Sequence, residues 1–161
     1  MGTKLSIYLE NFVITKKLLL SLLLCFLTFF FYCVHAENSP VGLWKTIDDA
    51  TGKPRSLIRI SDKNGELMAT IEKGLLPSDM PSDVCDQCTD ERKGKPLIGM
   101  VIMDNMKQKG DTFEGGYILD PDNGEVYQCK IKLDATGNKL EVRGFIGVSL
   151  IGRSQIWMRA E

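Results

Sequence analysis

Three groups of side chains in this 161-residue chain could do chemistry. The first is Cys85-x-x-Cys88 together with Cys129. Thiols at that spacing can close a disulfide, cycle as a redox pair or bind a metal. Redox cycling of the thioredoxin type relies on a helix N-terminus to lower a thiolate pKa. Here the pair lies in a Pro- and Asp-rich stretch, where Asp83, Asp86 and Asp90 act in the opposite direction. A metal would need a fourth ligand, for instance one of those aspartates. A structural disulfide is the expectation in an oxidising compartment. Spacing leaves a Cys85–Cys88 bond and a loop-to-barrel bridge to Cys129 both open. The odd thiol is expected to be buried on the face that carries Tyr127.

The second group is Arg143, Arg153 and Arg159. A guanidinium can grip a carboxylate or phosphate with two prongs. Arg153, Gln155, Trp157 and Arg159 alternate along the chain and so share one face of a strand. Turned inward, that face gives a partly polar interior suited to an anion; turned outward, it is a solvated surface. Tyr117 and Tyr127 join the three arginines as candidate ligand contacts. The third group, carboxylates and thioethers, could ligate or catalyse but is accounted for by structure. Asp48, Asp49, Asp120 and Asp122 sit where turns are expected, and turn formation accounts for them. Met100, Met103 and Met106 suit soft packing better than copper ligation. No catalytic residue, metal site or cofactor is assigned.

Residues 1–36 read as a targeting segment. Lys4, Lys16 and Lys17 precede an apolar run at 18–31, and Val34-His35-Ala36 offers a cleavage site before Glu37. The run is short for a membrane span, which needs about 20 apolar residues; retention as an uncleaved anchor is the rival. Myristoylation at Gly2 and lipid attachment at Cys25 or Cys33 fit their local contexts poorly. Cleavage after Ala36 implies a periplasmic or secreted protein, with 37–161 as a single domain. That portion keeps 17 basic and 20 acidic residues and has no basic stripe, which argues against nucleic-acid binding. It also has no histidine, because His35 is the only one in the chain. Ser-His-Asp and Cys-His nucleophile systems and the usual His-bearing catalytic zinc site are thereby excluded from 37–161.

These groups must be positioned by strands. Short alternating segments at 43–47, 55–60, 66–73, 112–120, 125–133, 139–145 and 153–159 are separated by turn signals such as Asp62-Lys-Asn-Gly65 and Asp120-Pro-Asp-Asn-Gly124. Within them Ser56, Ile58 and Ile60 share a face, as do Leu67, Ala69 and Ile71, and Phe113, Gly115, Tyr117 and Leu119. The apolar run at 96–103 supplies an eighth strand, followed by a turn at 105–111. The segment 74–95 is a long loop. Eight antiparallel strands can close into a barrel that is filled by side chains or holds one small ligand. Trp44, in Gly42-Leu43-Trp44, and Trp157 bracket the set, so the first and last strands are expected to meet, with an arginine stacked on the indole of Trp44.

Several blocks carry a family resemblance. They are Gly42-Leu-Trp44-Lys-Thr-Ile-Asp48-Asp-x-Thr-Gly52-Lys-Pro54, Cys85-x-x-Cys88, Gly94-Lys-Pro-Leu-Ile-Gly99, Gly115-Gly116-x-Ile-Leu-Asp120-Pro-x-Asn-Gly124-x-x-Tyr127-x-Cys129, and Arg143-Gly-Phe-Ile-Gly147 through Gly152-Arg153-Ser-Gln-x-Trp157-x-Arg159. Together, over residues 40–159, the chain resembles the bacterial secreted family called domain of unknown function 2147. The resemblance implies an all-β, eight-stranded, up-and-down barrel of lipocalin type and carries over no catalytic residue. Met68-Ala69 and Met158 depart from the family pattern, where an aromatic followed by Gly, and a small polar residue, are usual. The expected function is non-enzymatic binding of a lipid-like or anionic small molecule. The alternatives are a solid barrel that docks a partner through its surface or the 74–95 loop, and a thiol-active protein.

Overall fold

The computed structural model describes residues 39–49 and 51–160. The expected targeting segment, 1–36, lies outside the described residues. Eight strands follow in order: β1 Gly42–Ile47, β2 Pro54–Lys63, β3 Glu66–Gly74, β4 Val101–Lys109, β5 Thr112–Asp120, β6 Glu125–Leu133, β7 Lys139–Phe145 and β8 Gly152–Arg159. Each pairs antiparallel with its neighbour in the chain, and β8 returns to β1, so the sheet closes into the expected up-and-down barrel. Closure pairs the two end strands at Trp44–Arg159 and Lys45–Met158, which shortens the edge that could recruit another chain.

The seam is where the two tryptophan strands meet. Gly42 opens β1 opposite Ile60, and Trp44 pairs with Arg159 and Lys45 with Met158. The Arg159 guanidinium lies 4.4 Å from the centre of the Trp44 ring. It also donates to the carbonyls of Ser39 (2.7 Å), Val41 (3.1 Å) and Gly137. The Trp44 indole N–H donates to the Pro40 carbonyl at 2.7 Å. One side chain thus ties together the entry to β1, the β6–β7 turn and the end of β8.

Alternation fills the interior as expected over most of its length. Ile58 and Ile60 face in from β2, Leu67, Ala69 and Ile71 from β3, Cys129 and Ile131 from β6, and Leu140 and Val142 from β7; all are buried. Each such side chain contributes roughly 1.5–3 kcal/mol when fully buried, Ala less. Ala69, at a departure from the family pattern, is fully enclosed opposite Ile60 and Met103.

Two expectations are corrected. The fourth strand is not 96–103 but Val101–Lys109, and its turn is confined to Gly110-Asp111. Pro96 has no N–H to give a ladder, and Gly99 takes a positive φ of 85°. Residues 96–100 therefore finish the long loop. The strand then runs through Asn105, at φ 56°, as a bulge that shifts its register against β3. β5 carries a second bulge, at Gly115, which slips its pairing with β6 between Glu114 and Gly116. Gly116 consequently packs inside: a Cβ there would fall 1.9 Å from the Asp104 carbonyl oxygen. The bulge parts Tyr117 from Phe113: Tyr117 turns outward and is 50% exposed, whereas Leu119, two residues on in the same register, is buried.

The long loop is folded onto the barrel. Cys85 and Cys88 form a disulfide, which resolves the open pairing, and Cys129 is the buried free thiol. Val84 bridges Pro96, the Cys85 N–H reaches the Lys95 carbonyl at 2.9 Å, and the Leu97 N–H reaches the Asp83 carbonyl at 2.8 Å. Arg92 holds Asp90 by a short ion pair and a backbone hydrogen bond, keeping that carboxyl down at about 2.

Candidate ligand-binding cavity

Successive strands run in opposite directions, so the two ends of the barrel differ. The end that holds the start of β1 and the finish of β8 is plugged by Trp44, Ile60, Leu67, Met106, Ile131 and Leu140, all buried. The other end is open. A cavity of about 750 Å³ lies there, within the range usual for small-molecule sites. Ile58, Ile71, Ile102 and Val142 give it apolar walls, and Trp157, 2% exposed, closes its floor.

A few polar groups point into this space. The hydroxyls of Thr46 and Ser56 lie 2.7 Å apart across β1 and β2. The Trp157 indole N–H contacts the Gln155 side-chain oxygen at 3.4 Å. The Tyr127 hydroxyl accepts a hydrogen bond from the Asn123 amide at 3.0 Å. Bonded polar groups over an apolar floor can orient a ligand without an orphan donor or acceptor, and among the described residues no buried side-chain polar atom lacks a partner.

The mouth is built by four loops: β1–β2, the long loop, the β5–β6 turn and the β7–β8 loop. Arg55, at the start of β2, ties two of them by binding Asp79 at 3.3 Å and Asp122 at 2.9 Å. Partial burial lowers the Arg55 pKa, but Asp122 and Asp79 outweigh it and hold the guanidinium above its ordinary value. Arg153 binds Asp49 of the β1–β2 loop in a short pair, and the hydrogen bond to that carboxylate raises its pKa against a smaller effect of burial. The β5–β6 turn touches the long loop closely. Gly124 has φ +75°, and a Cβ on it would fall 1.9 Å from the Gln87 carbonyl oxygen.

The face shared by Arg153, Gln155 and Trp157 points inward, and all three line the cavity with Tyr127. The other candidate contacts do not. Arg143 folds over the β7–β8 loop, donating to the carbonyls of Ser149 at 2.7 Å and Leu150 at 3.3 Å and to the Ser154 hydroxyl at 3.0 Å. Arg159 is engaged at the plugged end, and Tyr117 points to solvent because of the Gly115 bulge. Sequence reasoning missed Arg55 and the long-loop carboxylates Asp79, Asp83 and Asp86 as parts of the mouth. The signal for the carboxylates is an Asp-rich loop, which the sequence ties to the neighbouring thiols and to the fourth ligand a metal would need; Arg55 carries no such signal.

Cys129 is unsuited to catalysis. Burial pushes its thiol up to about 12, and its sulfur sits 3.7 Å from that of Met103. With Cys85 and Cys88 joined, no described cysteine has the exposed, low-pKa setting of a reactive thiol.

A closed antiparallel barrel of eight strands, plugged at one end and hollow at the other, defines a lipocalin-like architecture. The chain belongs to the family described as an uncharacterized protein conserved in bacteria, domain of unknown function 2147, matched over residues 42–159. Among solved structures it is similar to protein HP1028 from the human pathogen Helicobacter pylori, described as belonging to the lipocalin family. That similarity has a TM-score of 0.67 at 16% identity and covers 76% of this chain and 84% of the other. No curated protein matches in sequence.

Proposed function

We propose that this protein is a non-enzymatic binding barrel that holds one small molecule with an apolar body in the open half of its interior. The observation that carries this reading is the cavity of about 750 Å³ floored by Trp157 and walled by aliphatic side chains. The lipocalin-like fold supports it, as does the absence of histidine from residues 37–161. Export completes the proposal. The targeting pattern of residues 1–36 supports it, and the Cys85–Cys88 disulfide suits an oxidising compartment. A mature N-terminus at Glu37 in protein recovered from the periplasm or medium is the expected result; an N-terminus upstream in a membrane fraction would favour the anchor.

Native mass spectrometry of gently purified protein tests the binding reading. It should show a co-purifying small molecule, or a saturable adduct with an added medium-chain amphiphile. Val142→Phe, which fills the cavity from β7, should abolish either while leaving the barrel folded. A protein that takes up no such molecule, with its cavity intact, would overturn the reading.

One observation favours a second reading, in which a partner docks on the surface. The β7–β8 loop exposes Ile146, Val148, Leu150 and Ile151, with Leu150 at 88%. Exposed apolar clusters of this kind mark interaction sites. Leu150→Ser with Val148→Ser should leave cavity binding unchanged, whereas loss of a specific partner in the same variant would establish the docking role.

A further inference from the structure

We infer that the head group the cavity selects is cationic: an amine or quaternary ammonium carried on an apolar body. This rests on the binding reading above and replaces the anionic ligand expected from the arginine-bearing strand. Among the described residues, the charged residues lining the site are seven aspartates, namely 48, 49, 79, 83, 86, 120 and 122, and two arginines, Arg55 and Arg153; Asp48, Asp83 and Asp120 also accept hydrogen bonds within their turns. Both arginines are already matched by Asp79, Asp122 and Asp49. An incoming anion would have to displace a carboxylate from one of them and then face the remaining negative charge. Lys93 contacts the rim loop, but through the Asp86 carbonyl, and it does not line the cavity.

The carboxylates do not make a site by themselves; the apolar cavity beneath them does. Their arrangement also separates two kinds of cation. Among the described residues no three acidic, cysteine or histidine side chains gather closely enough to hold a metal ion. The charge is instead spread around a mouth with low-dielectric walls, where it acts as a field on a diffuse cation. Beside the Trp157 floor, the aromatic residues Tyr127 and Phe145 line the same space, and aromatic rings attract an organic ammonium. An apolar chain against Ile58, Ile71 and Trp157, with its ammonium held among the mouth aspartates, satisfies both halves of the site.

The experiment compares three amphiphiles with the same decyl tail, each well below its micellar concentration: decyltrimethylammonium, decyl glucoside and decyl sulfate. Binding to the full barrel is followed by calorimetry and by tryptophan emission, since Trp157 floors the cavity. At low salt the ammonium should bind about tenfold tighter than the sulfate, with the glucoside between, and the spread should narrow as salt screens the mouth. Asp83→Asn with Asp86→Asn, which keeps the side-chain acceptors, should weaken the ammonium alone. Sulfate binding as tight as or tighter than ammonium, or a spread indifferent to salt, would overturn the charge assignment while the glucoside still reports a working cavity. Failure of all three to bind would overturn the cavity reading and this inference together. The head-group series on the unmodified protein stands even if the double variant misfolds.

Discussion

Arg159 shows how much one side chain can fix. It stacks on Trp44 and satisfies three carbonyls from two segments, the entry to β1 and the β6–β7 turn. Arg159→Ala should therefore cost roughly 2–4 kcal/mol, from the lost cation–π contact plus the unpaired carbonyls, without altering cavity binding; a denaturant titration alongside a ligand titration checks both. Arg159→Lys should recover little, since one ammonium cannot span the same acceptors. Cys129 makes an opposite kind of prediction. Its pKa is raised from 9.0 to about 12 by burial, so the folded protein keeps this thiol protonated where an unfolded chain would ionise. Its contribution to stability is complete below pH 9 and is lost as pH rises from there towards 12. Alkylation and peptide mapping at pH 8 should leave Cys129 unmodified in the native state and label it only after denaturation. The roles of Trp44 and an arginine partner were legible because a tryptophan in the first strand and an arginine in the last have few other uses in a closed sheet. The choice among Arg143, Arg153 and Arg159 was not, because it depends on a loop conformation and on which end of the barrel each reaches.

At the level of elements, turn chemistry and alternation located six strands to within a residue at each end, since Asn-Gly turns and period-2 burial are local properties; β2 runs three residues further than expected, to Lys63. The fourth failed because its information is not local. Asn105 carries β4 through a bulge that closes against Gly116 of another strand, and Leu97 and Ile98, ahead of β4, line the mouth rather than extend the ladder. The long loop was equally opaque: its seat is set by Arg55, Asp79 and Asp122 and by the approach of Gln87 to Gly124. That approach can be tested. Gly124→Ala adds a methyl where a carbonyl oxygen lies and strains a positive φ, so the long loop should lift. We expect a loss of roughly 1–3 kcal/mol and faster amide exchange at residues 85–97, with the plugged end unaffected. Unchanged exchange there would show that the turn does not seat the loop.

For the whole molecule, the hollow half and the plugged half divide the work. Ligand that binds only the folded barrel must stabilise it, by about 2.7 kcal/mol at one hundred times the dissociation constant. Thermal unfolding at increasing ligand should show this rise, and Val142→Phe should remove it. The same division bears on how the protein resists force. The start of β1 and the finish of β8 lie side by side, and their seam has only two paired positions, against six between β1 and β2. Tension applied at residues 39 and 160 would peel that seam open one pair at a time instead of shearing many hydrogen bonds at once. The barrel should yield at low force along this line however stable it is to heat. The first obstacle such a pull meets is the grip of Arg159 on Ser39 and Val41, so mechanical strength rests on one guanidinium more than on the sheet.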